Sequence, residues 1–220
     1  MTKTAIIVGA SGLVGNEVLK LLLADNDFEK VKTFVRKPLV ISHPKLEQYI
    51  INFDFIDKSA DLIKGNVLFC CLGTTIKTAG SKEEFKKVDY VYPLEFAKIA
   101  KQNGVNKFLI ITSIGANKSS SNFYLKVKGD IETVLEKLKF DSLVILQPSM
   151  LLGERKGLRS GEIIGKIIMK PISFLFIGKF KKYKAIEATI VAKAMIQLSK
   201  SDLPSVSIMQ SDKLQKIGGH

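Results

Sequence analysis

The stretch Gly9-Ala10-Ser11-Gly12-Leu13-Val14-Gly15 decides the fold class, because it sets three glycines at fixed spacing directly after an apolar run. That run, residues 5–8, has the length of a buried strand, and apolar residues at helical spacing follow from residue 14 onward. Such glycines permit a tight turn, the approach of a pyrophosphate to bare backbone, and close packing of helix on strand. The stretch predicts a dinucleotide-binding turn; a glycine-rich turn that merely packs is the alternative. The predicted phosphate-binding residues are Gly9, Ser11, Gly12, Leu13, Val14 and Gly15.

Short apolar runs recur along the rest of the chain and alternate with segments of helical spacing. The runs lie at residues 31–35, 49–53, 67–72, 108–111, 143–146 and 206–209, and the helical faces at 14–22, 91–100, 127–138 and 190–198. Apolar residues at consecutive positions are typical of strands that are covered on both faces. This order predicts an α/β fold, a doubly wound and mostly parallel sheet of Rossmann type. We expect one domain over residues 1–220, with a small substrate-facing segment near its carboxyl end.

Composition excludes several classes of protein. The chain has 220 residues, of which 46% are hydrophobic and 25% charged, so it can form a core without disulfides or metal. Its two histidines, His43 and His220, leave too little for a catalytic triad or a His-rich metal centre, and no metal site is expected. The adjacent Cys70 and Cys71 indicate a reduced protein, with a redox pair as the alternative. The amino terminus lacks signal-peptide features, and the expected location is cytoplasmic.

Positive charge is concentrated in one segment. The formal net charge is +13, and residues 154–184 contain nine basic residues and two acidic ones. This basic, apolar segment has three interpretations: a lid over a substrate pocket, a peripheral membrane contact, or a nucleic-acid patch. The lid is favoured, membrane contact comes second, and nucleic acid is disfavoured because apolar residues outnumber what phosphate binding needs.

The residues after the second and third strands suggest which dinucleotide binds. Arg36 and Lys37 follow the second strand, where an NAD site usually carries an acid that binds the ribose hydroxyls. Two cations and no carboxylate favour NADP over NAD, since arginine can pair with a 2′-phosphate in bidentate fashion. A solvated basic loop is the alternative. Asp54, after the third strand, is placed to bind the adenine amino group, although a plain turn aspartate fits as well.

A candidate reaction centre follows the fifth strand. Tyr124 and Lys128 are four residues apart, so they share one face of a helix, and Ser113 stands at the carboxyl end of the preceding strand. In water, a tyrosine with a pKa near ~10 is a poor acid or base, and a neighbouring ammonium favours its phenolate. We therefore expect Tyr124 to transfer a proton, Lys128 to assist it, and Ser113 to bind a substrate carbonyl.

These stretches resemble the short-chain dehydrogenase/reductase superfamily, in particular an atypical branch similar to the Tat-interacting-protein oxidoreductase family. The matching segments are residues 9–15, 71–75, 79–81, 88–89, 112–116, 118–120, 122–129 and 147–153. The resemblance implies an NADP(H)-binding Rossmann protein in which Ser113, Tyr124 and Lys128 match the catalytic serine, tyrosine and lysine. It also implies that Leu72, Gly73 and Thr74 border the cofactor, that Lys128 contacts it, and that Pro148 and Ser149 lie near its nicotinamide end. Gln147 stands where many relatives have arginine.

Two functions follow from these expectations. The first is an NADP(H)-dependent oxidoreductase that acts on an unknown small carbonyl or alcohol. The second is a non-catalytic NADP(H)-binding regulatory module, because several members of the resembled branch act mainly as regulators. The substrate stays open, as does assembly into a homo-oligomer.

Overall fold

The computed structural model describes residues 3–153 and 183–219. Nine strands alternate with seven α-helices within these ranges. The strands are β1 (Lys3–Val8), β2 (Phe28–Val35), β3 (Leu46–Ile50), β4 (Val67–Cys70), β5 (Lys107–Ile111), β6 (Ser142–Gln147), β7 (Leu151–Leu152), β8 (Ile186–Glu187) and β9 (Val206–Gln210). The helices are α1 (Leu13–Ala24), α2 (Ile76–Ala79), α3 (Lys82–Lys86), α4 (Tyr92–Gln102), α5 (Phe123–Glu136), α6 (Ala188–Lys200) and α7 (Ser211–Gly218), with a 3-10 helix at Phe53–Leu62 and a π-helical turn at Lys87–Val91.

Seven strands form one parallel sheet in the order β3-β2-β1-β4-β5-β6-β9. The chain runs outward from β1 to β3, then returns to the other side of β1 with β4 and continues to β9. Parallel neighbours need crossover connections, and the helices supply them. The prediction of a doubly wound Rossmann-type sheet is confirmed. The pair β7 and β8 forms a separate two-stranded sheet.

Helices cover both faces of the sheet, which is why its strands are apolar at consecutive positions. Along β1, Ile7 faces the core under α1 and α6, whereas Ile6 and Val8 face the core under α4 and α5. All three are fully buried. Each such side chain stabilises the fold by roughly 1.5–3 kcal/mol through its removal from water.

The two cysteines lie on opposite faces of this sheet. Cys70 belongs to the core under α4 and α5, while the Cys71 sulfur lies 3.9 Å from that of Met195 on the α6 side. Burial raises the pKa of Cys70 to about 12 and that of Cys71 well above its ordinary value. Both thiols are therefore protonated at neutral pH, with Cys70 buried and Cys71 half-buried.

The third strand lies earlier than its predicted position. It was expected at residues 49–53, but β3 covers Leu46–Ile50. The Asn52 side chain accepts a hydrogen bond from the Asp54 amide at 3.0 Å and caps the 3-10 helix that begins at Phe53. This cap ends the extended backbone before Phe53, so Asp54 follows a cap rather than the strand itself.

Candidate cofactor and active site

The glycine turn joins β1 to α1 through contacts that exclude any side chain. Gly9 has φ +83°, and a Cβ there would lie 2.5 Å from the carbonyl carbon of Cys71. A Cβ at Gly15 would lie 2.1 Å from the Gly9 oxygen. Backbone atoms cannot rotate out of such contacts, so both positions require glycine. The turn therefore brings bare backbone to the carboxyl end of β1.

The first turn of α1 fits an anionic group. Gly12 is the N-cap and provides no side chain to bond the helix amides, and no acidic residue lies in the first turn. The free amides of Leu13 and Val14 are thus among those that a helix start offers to an anion. Ser11 is exposed beside them. The polarity of this helix start suits an anionic group such as the diphosphate of a dinucleotide.

The crevice above β1 and β4 lies at the point where the strand order reverses. Ligands of open parallel sheets bind at such switch points, beyond the carboxyl ends of the strands. Leu72, Gly73 and Thr74 lie in the loop after β4, and the backbone of this loop at Cys71 and Leu72 approaches Gly9. Their contact with a cofactor stays a prediction.

One side of the crevice carries the residues predicted for the adenosine end. Arg36 and Lys37 are exposed just after β2, and Asp54 is exposed at the start of the 3-10 helix. The Tyr92 hydroxyl donates a hydrogen bond to the Asp54 carboxylate at 2.7 Å. Burial and this bond raise the pKa of Tyr92 to about 12, against a smaller opposite effect of the nearby Arg36. Sequence reasoning missed Tyr92, because no local spacing links positions 54 and 92.

Helix α5 carries the candidate tyrosine and lysine on one face, as predicted. The Asn122 side chain caps α5 by accepting the Leu125 amide at 3.2 Å. The ring of Tyr124 packs against the buried Phe85, with centroids 5.6 Å apart. Lys128, one turn later, is 4% exposed and lies close enough to Tyr124 for the two side chains to interact electrostatically.

A buried aspartate that sequence reasoning left without a role holds Lys128. The ammonium of Lys128 lies 2.7 Å from a carboxylate oxygen of Asp89, which is 1% exposed. The other oxygen of Asp89 accepts the Thr74 amide at 2.9 Å. Burial lowers the pKa of Lys128, but attraction to Asp89 and Tyr124 outweighs it and holds that pKa above its ordinary value. Burial raises the pKa of Asp89, which the ammonium and the amide offset only in part.

Ser113 lies two residues beyond β5 and is half-buried. Its hydroxyl donates to the carbonyl of Ile114 at 3.3 Å, a weak bond that a substrate oxygen could replace. Its role as the group that binds a substrate carbonyl stays a prediction.

Pro148 and Ser149 follow β6 at the same edge of the sheet. The Pro148 carbonyl accepts the Ile114 amide at 2.9 Å, which ties this loop to the one that carries Ser113. The Ser149 amide donates to the Ser211 hydroxyl at 2.7 Å, and its own hydroxyl donates to the Lys184 carbonyl. The Ser149 hydroxyl thus links the loop after β6 to the chain at residue 184. Contact of Pro148 and Ser149 with a nicotinamide stays a prediction.

A second buried acid lies one turn beyond Lys128. Glu132 is 7% exposed, accepts the Thr112 hydroxyl at 2.5 Å, and has the Gln147 amide nitrogen 3.1 and 3.0 Å from its two oxygens. Gln147 in turn accepts from Gln210 at 3.2 Å. Burial raises the pKa of Glu132, partly offset by these hydrogen bonds. This network joins α5 to β6 and β9 and was also missed, since its members are distant in sequence.

Two further findings concern the ranges 3–153 and 183–219. They contain no group of three or more His, Cys, Asp or Glu residues placed to hold a metal ion. None of their helices is long and apolar enough to cross a membrane. The basic segment 154–184, predicted as a lid, lies outside the described residues except for its last two positions.

A parallel sheet with a glycine turn at its switch point, and with a tyrosine and lysine beside it, defines a dinucleotide-binding domain of Rossmann type. Residues 9–166 match the model of the NAD(P)H-binding family, and the chain belongs to that family. Protein HTATIP2 of Rattus norvegicus is 40% identical over 168 residues, which cover 74% of this chain and 69% of the relative. Protein FMP52-1, mitochondrial, of Scheffersomyces stipitis is 33% identical over 97% of this chain and 98% of its own length. The resemblance to the Tat-interacting-protein family is confirmed.

Solved structures agree on the fold. The UDP-N-acetylglucosamine 4-epimerase of Methanobrevibacter ruminantium M1 superposes with a TM-score of 0.70 at 17% identity, over 98% of this chain and 80% of its own. At this identity the likeness shows the fold alone.

The expectation of a cytoplasmic location is wrong by the same comparisons. The relatives from Scheffersomyces stipitis, Debaryomyces hansenii and Candida albicans are named as mitochondrial proteins. The reduced state inferred from Cys70 and Cys71 excludes oxidising compartments only, and therefore could not decide between the cytoplasm and another reducing compartment.

Proposed function

We propose that this protein is an NADP(H)-dependent oxidoreductase of the short-chain dehydrogenase/reductase type, acting on a small carbonyl or alcohol. The observation that carries the proposal is the buried Lys128 ammonium beside Tyr124, at the crevice that the glycine turn opens. Perturbed ionisable groups in a ligand-binding cleft are typical of catalytic sites. Membership of the NAD(P)H-binding family supports the cofactor class.

Each residue has a distinct chemical task in this proposal. The glycine turn binds the diphosphate, and a bound nicotinamide cofactor supplies or accepts the hydride. Tyr124 gives its hydroxyl proton to the substrate oxygen during reduction and takes it back during oxidation. Lys128 stabilises the phenolate that forms and would help to hold the cofactor when it is bound, while Ser113 donates a hydrogen bond to the substrate carbonyl oxygen.

The preference for NADP over NAD belongs to the proposal as well. Arg36 is exposed after β2 and lies near Tyr92 and Asp54 at the adenosine end of the crevice. A guanidinium there supplies two donors to a 2′-phosphate, and Lys37 adds a second positive charge.

The test is NADPH consumption with a panel of aldehydes and ketones, comparing wild type with Tyr124→Phe. We expect turnover in wild type and a loss of roughly 10²- to 10⁴-fold in kcat for the variant, because general acid catalysis contributes about that much. NADPH affinity should stay unchanged. Tyr49→Phe is the matched control, since Tyr49 lies on the edge strand β3 and should leave turnover intact. Equal rates for Tyr124→Phe and wild type would eliminate Tyr124 as the acid.

A non-catalytic NADP(H)-binding module is the second candidate. Family membership is compatible with it, because it supports binding of the cofactor and does not require turnover. Tight NADPH binding by wild type, without turnover of any substrate in the panel, would support this candidate over the oxidoreductase.

A further inference from the structure

Lys128 occupies a buried position that disfavours the charged form of its side chain. Its side chain is 5% exposed, on a helix face that packs against the sheet. A lysine so placed loses hydration, and without a partner its pKa can fall by 3–5 units, which leaves a neutral amine at physiological pH. The reaction proposed above needs the charged form beside Tyr124, so something must hold the proton on Lys128.

Four ionisable groups from three elements face this ammonium. Asp89 comes from the π-helical turn, Cys70 from β4, and Tyr124 and Glu132 from α5 itself. Cys70 has a pKa of about 12 and is a neutral thiol, and the carboxylate of Glu132 is already bonded by Thr112 and Gln147. Asp89 is the group at ion-pair distance.

Asp89 is itself held in place from two directions. It sits in a π-helical turn between α3 and α4, and such turns often occur at functional sites. The Thr74 amide fixes one carboxylate oxygen, while the other has no hydrogen-bond donor in the described parts of the chain besides the ammonium. A Cβ on Gly73 would lie 3.6 Å from that oxygen and 4.0 Å from the Lys128 nitrogen. Gly73 therefore borders the ion pair.

We propose that Asp89 is a positioning residue, whose carboxylate fixes the Lys128 ammonium beside Tyr124 and keeps it charged in its buried position. The inference rests on the proposed function for its role in the reaction, but the ion pair and its effect on Lys128 exist without cofactor or substrate. The Thr74 amide, in the loop after β4, donates to the Asp89 carboxylate. The same loop therefore supports both the ion pair and the candidate cofactor site.

The test is a pH titration of Lys128 by NMR in protein labelled with ¹³C and ¹⁵N lysine, without cofactor. Lys128→Met identifies the Lys128 signal by its disappearance. In wild type we expect the signal of an ammonium up to pH ~10.5 or above, the ordinary lysine value. In Asp89→Asn, which keeps shape and removes charge, the midpoint should fall by at least about 2 units.

The control is Asp130→Asn on the same helix. Asp130 pairs with Lys126 at 3.1 Å, but both side chains are in contact with solvent. This variant should leave the Lys128 titration unchanged. A Lys128 midpoint in Asp89→Asn within about half a unit of wild type would overturn the proposal. If Asp89→Asn fails to fold, wild type decides: a Lys128 midpoint below the ordinary lysine value would equally overturn it.

Activity provides a second and separable readout. In Asp89→Asn, kcat should fall as pH rises through the lowered Lys128 midpoint and recover toward acid pH as Lys128 regains its proton, which loss of packing alone would not produce. Wild type should show no such acid recovery, and its appearance in both proteins would count against Asp89. Absence of turnover in wild type would reject the oxidoreductase, whereas the NMR shift would still test the role of Asp89.

Discussion

The two ends of the cofactor crevice are built in different ways. At the proposed diphosphate end, backbone segments are in close contact, and Gly9 and Gly15 leave no room for a Cβ. The candidate binding groups there are the amides at the start of α1. At the proposed adenosine end, the candidate binding groups are exposed side chains, with Arg36 and Lys37 at the surface and Asp54 held by Tyr92. The first end tolerates almost no substitution, because packing fixes it. The second can change its ligand preference by single side chains at little cost to the fold.

Substitution at Gly9 should have the largest effect. Gly9→Ala places a Cβ 2.5 Å from the Cys71 backbone at a positive φ, so we expect a loss of roughly 3–5 kcal/mol in the free energy of unfolding, together with cofactor binding. Gly104→Ala is the control, since Gly104 has φ +79° but nothing within 4 Å of its Cβ position. It should cost only about 1–2 kcal/mol. Equal losses in urea denaturation would mean that backbone conformation, and not close contact, makes Gly9 necessary.

Removal of the Arg36 side chain should have an intermediate effect that is confined to one cofactor. Arg36→Ala should weaken NADPH binding by roughly 10- to 100-fold, the value of charge-assisted hydrogen bonds, and leave NADH binding and stability unchanged. Lys37→Ala should weaken NADPH binding less, because an exposed ammonium acts as a single screened charge. Calorimetric titration with both cofactors measures the difference. Equal losses for NADPH and NADH would contradict a 2′-phosphate contact.

The smallest effect is expected at Tyr92 and depends on pH. Its pKa is about 12 against an ordinary value of 10, so its stabilising contribution is complete below pH 10 and is lost as pH rises toward about 12. Tyr92→Phe should cost about 1 kcal/mol at neutral pH, the value of one hydrogen bond, and should lose less stability than wild type over that alkaline range. Denaturant unfolding at several pH values measures both.

Tyr49→Phe is the matched control for Tyr92. Tyr49 also donates to a carboxylate, that of Glu47 at 2.7 Å, and burial likewise raises its pKa to about 12. It should reproduce the alkaline behaviour without any change in cofactor affinity, whereas Tyr92→Phe should weaken both NADPH and NADH through Asp54. If both variants weaken cofactor binding equally, the adenosine end does not include the Tyr92–Asp54 pair.

Local sequence patterns were sufficient to predict the features that depend on a single helix, strand or turn. The glycine turn, the alternation of strands and helices, and the shared face of Tyr124 and Lys128 all follow from spacing within a few residues. The position of β3 was wrong because a side-chain cap at Asn52, not an apolar run, ends the strand. Helix α7 and the pair β7 and β8 were not foreseen, since they are short and are stabilised by packing on other elements, α7 on α6 and β7 on β8.

The amino-acid sequence by itself determined that this chain forms a doubly wound sheet with a diphosphate-binding turn, because strand and helix periodicity and glycine spacing are local properties. Only the tertiary structure decided what surrounds Lys128. Lys128 lies 39 positions after Asp89 in the sequence, and Tyr92 lies 38 positions after Asp54. Ionisation depends on distance and burial in space, and these are set by how helices and loops pack on the sheet.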